Sequence, residues 1–259
     1  MNTVAIVQAR LGSLRLPGKV LRKIGNQTSI ERQIDRIRLA STLDSVVLAT
    51  TELEQDDELA FFAETRGWNL FRGAGDDVLR RYVDASLEHN ADLVVRITGD
   101  CPLIDPGVVD EVVRMAQTGD AEYYSNIEPP TYPNGLDVEV FPISSLLWAS
   151  QNTPLMEDRE HVTTKLRKSP HVKRANLVWS EDLSGERWTL DTQEDLQVIT
   201  NVFESFRWGN DFSWLDIMEL RNSQPALFEA NRHLPRNHGL LLSKKEKISI
   251  HDQVEPPTI

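Results

Sequence analysis

Cysteine is almost missing from these 259 residues: Cys101 stands alone, which excludes an intrachain disulfide and any zinc site built from several thiolates. No apolar run approaches a membrane span, and the N-terminus lacks the basic and apolar stretch of a secretory signal. A cytoplasmic protein without a membrane partner is expected. Basic residues are also in deficit, 28 Lys and Arg against 40 Asp and Glu, leaving a net charge of −12. That balance argues against broad nucleic-acid binding, which draws on surplus positive charge. No internal repeat is visible.

What is present suits a large α/β domain, long enough to bury its core without metal or disulfide staples. Thr3 to Ala9 reads as a buried strand, followed by a Gly/Pro loop and a helix from Ser29 to Ala40. Thr28 and Glu31 have capping-box spacing at that helix start. Strands at Ser45–Thr51, Asn69–Arg72 and Leu93–Thr98 alternate with helices at Asp56–Arg66, Val78–His89 and Asp105–Gln117. Asp105 and Pro106 supply an N-cap and a proline at the first helical position. Such alternation predicts βαβ units and a Rossmann-like, mainly parallel sheet, with ligands beyond the carboxyl ends of its strands. Farther along, Leu136–Phe141, Lys173–Trp179 and Arg187–Leu190 read as strands and Glu157–Lys168 as one helix. We place the principal domain at residues 1–205, with a helical, aromatic C-terminal appendage and polar tail at 206–259.

Basic residues gather in one place, with three arginines and two lysines between Arg10 and Lys23. The glycines there allow close backbone approach, arginine forks match phosphate oxygens, and lysine adds a movable charge. The same composition also describes an ordinary solvated loop. Five residues separate Gly12 from Gly18, and Val20 follows Lys19 where a P-loop carries Ser or Thr. The loop therefore fails that pattern, and any metal must be held elsewhere. Asp100 and Asp191 each follow a predicted strand. Each is a hard-oxygen ligand for Mg2+ or a turn and cap former. Asp137 and Glu139 share one face of their strand. His161 is an anion-binding group, a base or a packed residue, and Cys101 reads as packing.

These segments, in order, resemble the sugar-acid cytidylyltransferases, the group of CMP-Kdo synthetase and acylneuraminate cytidylyltransferase. The matching stretches are Val7–Arg10 with Pro17–Leu21, Arg96–Asp105, Asn134–Phe141, Arg159–Thr163 and Thr189–Thr192. Within the group they look most like the spore coat polysaccharide SpsF branch, as does the ending Leu234–Gly239. The resemblance implies a nucleotide-diphospho-sugar transferase fold, CTP as donor and Mg2+ as cofactor. By position, the nucleotide would meet Ala9, Arg10, Leu11, Gly12 and Ser13. Arg10, Ser13, Arg15 and Lys19 would hold the triphosphate, and Asp100 and Asp191 the metal. Arg15, Lys19, Asp100 and Asp191 form the expected catalytic set. Asp76, Asp77 and Arg81 fall in a stretch near the base, and Thr98 joins the nucleotide set. Asn126, Tyr132, Asp137, Glu139, Glu160 and His161 fall where the acceptor would sit. Asn134 stands where Asp is expected.

The expected reaction is transfer of CMP from CTP to a sugar acid or related small anion, releasing pyrophosphate. A glycosyltransferase using a finished nucleotide sugar, with Asp137 and Glu139 as its acidic pair, is the competing enzyme reading. Phosphonate cytidylylation is a variant of the first, and a silent nucleotide-binding scaffold is the non-enzymatic alternative. A homodimer is also expected, with Phe206, Trp208, Phe212 and Trp214 available for an interface or for the chain's own core.

Overall fold

The computed structural model describes residues 1–13 and 15–236. Leu14 of the basic loop, Asn237–Gly239 and the polar tail lie outside the described residues. In chain order the strands are β1 (Thr3–Gln8), β2 (Lys23–Ile24), β3 (Gln27–Thr28), β4 (Ser45–Thr51), β5 (Asn69–Gly73), β6 (Leu93–Thr98), β7 (Tyr123–Ser125), β8 (Glu139–Pro142) and β9 (Arg174–Asn176). The helices are α1 (Ser29–Ile37), α2 (Asp57–Thr65), α3 (Val78–Glu88), α4 (Pro106–Thr118), α5 (Ile143–Gln151), α6 (Met156–Glu160), α7 (Thr164–Lys168), α8 (Gln193–Ser205) and α9 (Trp214–Ser223).

Seven strands form one mixed sheet in the order β5-β4-β1-β6-β8-β7-β9. The first four are parallel, β8 runs antiparallel to both β6 and β7, and β9 pairs parallel with β7. The fold class is the Rossmann-like one expected, and helices follow at the C-terminal end. Alternation within β1 explains why the sheet is covered twice. Ala5 and Val7 face a core shared with α1, α2, α4 and α8, whereas Val4 and Ile6 face one shared with α3, α5 and α7.

Local signals set the helix starts. The predicted capping box forms at Thr28 and Glu31, and Asp105 accepts the Val108 amide at 3.0 Å ahead of Pro106. Buried residues from the C-terminal segment, Phe212, Trp214, Ile217 and Phe228, join the first of these cores. Arg36, fully buried, ties that segment to the sheet by donating to the carbonyls of Ile104, Asn210 and Phe212.

Four predicted elements differ, the first being the strand over Lys173–Trp179, which shortens to β9 at Arg174–Asn176. The helix over Glu157–Lys168 breaks into α6 and α7 at Val162, whose φ is 59°. A β-branched residue resists that conformation, and burial of Val162 in the core beside α3 and α5 offsets the cost. The strand over Leu136–Phe141 pairs only from Glu139, because the Asn126 side chain takes over the missing ladder. Its amide donates to the Leu136 carbonyl at 2.7 Å and accepts the Val138 N–H at 2.9 Å. Arg187–Leu190 makes a single parallel bridge, between Asn134 and Arg187. Gly135 permits that approach: its φ is 113°, and a Cβ there would lie 2.7 Å from the Trp188 carbonyl carbon.

Candidate active site

Adjacent strands β1 and β6 end in register, Gln8 beside Thr98, so their loops open on the same side of the sheet. The loop after β1 is pinned from below by a residue the sequence did not single out. Buried Asp56 accepts the Leu11 amide at 2.6 Å and also bonds the Thr51 hydroxyl. Gly18, with φ 63°, then starts a one-turn 3-10 helix over Lys19–Leu21, and Val20 anchors it in the core. Lys19 is thereby held over the sheet's carboxyl edge.

The Asp191 segment reaches the same edge through backbone bonds. The Leu190 amide and the Thr189 hydroxyl both donate to the Asp100 carbonyl, at 2.7 and 3.2 Å. Thr192, rather than Asp191, accepts the N3 amide at the start of α8, which leaves the Asp191 carboxylate free to face the cavity. Lys19 Nζ donates to Asp100 Oδ2 at 2.8 Å and to Asp191 Oδ1 at 2.7 Å. Arg15 reaches the same Asp191 oxygen at 3.0 Å, and Arg187 reaches the other at 3.2 Å. Arg187 is itself locked by bonds of 2.8 and 2.9 Å to fully buried Asp195.

Electrostatics follow from this crowding. Burial alone would raise the Asp191 pKa, but Lys19 and Arg15 hold the carboxyl far below the usual range. Burial would likewise lower the Lys19 pKa, and the two aspartates reverse it to a net rise. Both carboxylates touch one ammonium, and two hard oxygen donors suit a hard divalent cation. Among the described residues no group of three or more His, Cys, Asp or Glu could hold a metal.

Around this cluster lies a cavity of about 530 Å³, whose lining includes Ala9, Arg10, Gly12, Ser13, Arg15, Lys19, Arg81, Thr98, Asp100 and Asp191. Glu160 and His161 also line it, with Glu160 4.0 Å from Arg10. Leu11 contributes its pinned amide while its side chain packs on the core. Asp76 is exposed, and Asp77 caps α3 through the Arg80 amide and pairs with Arg159 at 2.8 Å. Neither lines the cavity, although Arg81 does and holds the Ala74 carbonyl.

A second cavity, of about 960 Å³, adjoins the first and shares Arg96, Thr98, Asp137 and His161 with it. Glu139 lies there against Arg96 and accepts the Tyr123 hydroxyl at 2.6 Å. Burial would raise the Glu139 pKa, but Arg96 and those hydrogen bonds lower it. Asp137 is raised by burial despite Arg236, whose guanidinium donates to it at 2.5 Å. Asn126 and Tyr132 do not reach either cavity. Asn126 is spent on backbone, and Tyr132 packs against Trp179 and Trp214. Arg96, Arg167, Lys168, Arg187 and Arg236 are basic lining residues to which sequence reasoning gave no role in the site; only the i, i+4 spacing of Arg187 and Asp191 offered a signal.

The chain and the fold that carry this sheet-edge site have counterparts among known proteins. The cytidylyltransferase family model matches residues 4–205. This chain belongs to the cytidylyltransferase family. The spore coat polysaccharide biosynthesis protein SpsF of Bacillus subtilis is 31% identical over 236 residues, spanning 87% of this chain and 96% of SpsF. The structure of a cytidylyltransferase from Leptospira borgpetersenii superposes with a TM-score of 0.84 at 32% identity, covering 88% of this chain and 97% of that one. A CMP:2-keto-3-deoxy-manno-octonic acid synthetase solved with CTP shares the fold, with a TM-score of 0.62 at 17% identity, over 80% of this chain and all of that one. The protein is thus a nucleotidyltransferase enzyme of the cytidylyltransferase family. Among the described residues no helix is long and apolar enough to cross a membrane.

Proposed function

We propose that this cytidylyltransferase moves CMP from CTP to an oxygen of a sugar acid or related small anion, releasing pyrophosphate, with a magnesium ion on Asp100 and Asp191. One observation carries the reading: Lys19 of the basic loop bonds both Asp100 and Asp191 inside a single cavity. The neighbouring synthetase names CTP and a sugar acid, which supports the choice of donor and acceptor class.

Arg10, Arg15 and Lys19 bind the triphosphate and neutralise the charge that grows on the departing pyrophosphate. Asp100 and Asp191 would hold the divalent cation, which would supply neutralisation of phosphate charge. The larger cavity holds the acceptor with its oxygen in line with the α-phosphorus. The new oxygen–phosphorus bond forms as the acceptor hydroxyl gives up its proton to solvent and the bond to pyrophosphate breaks, and pyrophosphate leaves with the electron pair. No protein nucleophile is needed; positioning and electrostatics do most of the catalysis.

The glycosyltransferase reading takes Asp137 and Glu139 as its acidic pair and leaves the basic loop that meets Asp100 and Asp191 without a role. Pyrophosphate release tests the proposal, using CTP, Mg2+ and a panel of acidic sugars that starts with 3-deoxy-manno-octulosonate and includes a phosphonate. Asp100→Asn and Asp191→Asn are expected to lose at least about a hundredfold in kcat while circular dichroism stays native. Full activity in either variant removes that residue from the metal role. Absence of CTP binding by calorimetry defeats the reading outright, and binding of nucleotide sugars in place of CTP favours the glycosyltransferase. A homodimer belongs to the same proposal and is read by light scattering.

A further inference from the structure

Asp191 is the most heavily paired carboxylate in the cavity. Lys19 and Arg15 share its Oδ1, at 2.7 and 3.0 Å, and Arg187 takes its Oδ2 at 3.2 Å. The Lys19 ammonium bridges onward to Asp100 at 2.8 Å. Three cations, Arg15, Lys19 and Arg187, therefore meet three carboxylates, Asp100, Asp191 and Asp195, and their formal charges cancel.

The cations are not equally free to leave. Arg187 is fastened to Asp195 by two bonds and is 4% exposed. Lys19 reaches the aspartates on a flexible four-carbon stem from a single 3-10 turn, and among the described residues its ammonium has no other partner. Its Nζ lies between the two carboxylates, within hydrogen-bond distance of both.

We propose that Lys19 is an exchangeable counter-ion that makes divalent-metal binding at Asp100 and Asp191 conditional on the triphosphate. The proposal rests on the nucleotide reading above and adds an order to it. A metal ion arriving alone must displace Lys19 and strand a largely buried ammonium without an acceptor, a costly state. Arriving with a triphosphate, it meets a Lys19 that has phosphate oxygens to take up. Arg15 shifts in the same sense, from Asp191 toward the nucleotide. Linkage requires the converse: the nucleotide binds more tightly with the metal than without it.

The test uses the full chain and Mn2+ as probe, with free Mn2+ measured by electron paramagnetic resonance in the absence of nucleotide. Lys19→Met is expected to bind Mn2+ at least about tenfold more tightly than the unaltered protein, and Lys19→Arg to stay near the unaltered value. Adding Asp100→Asn to Lys19→Met should cancel the gain. A folded Lys19→Met with no gain, or a gain that survives Asp100→Asn, overturns the proposal.

A second measurement needs no variant. Acetic anhydride labelling of Lys19, read by peptide mass spectrometry, should rise when Mn2+ alone is raised to the level at which resonance shows it bound. Unchanged labelling there also overturns the exchange. Calorimetry with CTP separates the two ideas. CTP binding without a Mn2+ gain in Lys19→Met leaves the nucleotide reading standing and removes the exchange. A Mn2+ gain in a protein that does not bind CTP does the reverse.

Discussion

Asp195 does no chemistry in this scheme, yet replacing it should disturb the site more broadly than replacing a surface charge. Its carboxylate is fully buried and accepts five hydrogen bonds from its surroundings: two from Arg187, one each from the Asp191 and Thr192 amides, and one from Asn231. Asp195→Ala leaves the Arg187 guanidinium buried and short of partners. Breaking a buried ion pair from one side costs roughly 3–5 kcal/mol, and losing half of the capping box at α8 adds about 1 kcal/mol. For a chain of this size each kcal/mol lowers Tm by roughly 2–4 °C, so a fall of roughly 10–20 °C is expected. Thermal melting followed by circular dichroism reads it. Pairing Asp195→Leu with Arg187→Met should recover most of the loss, because the stranded charge goes with its partner. A fall under about 3 °C, within what an exposed pair can cost, would refute the argument that this buried pair carries the Asp191 turn.

Two further outcomes are expected. The Asp191 carboxyl is held below its unfolded pKa of roughly 3.9, so its stabilisation is complete above that value and is lost as pH falls toward the depressed folded one. Urea midpoints taken from pH 7 down to pH 3 should therefore drop more steeply for the unaltered protein than for Asp191→Asn, and equal slopes would remove the ion cluster as the cause. Gly135→Ala forces a Cβ to within 2.7 Å of the Trp188 backbone at a φ of 113°. It should cost at least about 2 kcal/mol in a urea titration, and a cost under about 0.5 kcal/mol would show that the two segments can part freely.

Much of the scaffold was legible because its signals are local. Strands β4 and β6 end at the residues predicted, and the Thr28 box and the Asp105 cap form as their spacing implied. The failures have causes that lie outside each segment's own neighbourhood. Val162 breaks a helix that periodicity favours because its side chain is drawn into a core built by α3 and α5. Asn126 replaces a strand ladder from ten to twelve positions away. Tyr132 and Asn126 were expected where the acceptor would sit, yet packing and backbone bonds turn both away from the cavities.

The sequence by itself determined the family, the alternating architecture and the basic loop, and it singled out Asp100 and Asp191, since composition, spacing and ordered motifs are properties of the chain alone. The tertiary structure decided which charges meet. Lys19 and Asp191 are 172 positions apart and 2.7 Å from one another, and no periodicity encodes that pairing. Nor could spacing reveal that Asp56 pins the loop, that Thr192 rather than Asp191 caps α8, or that Arg187 turns inward to Asp195. Helix caps and strand alternation are settled within a few residues, whereas an ion cluster depends on where a folded sheet sets its loop ends.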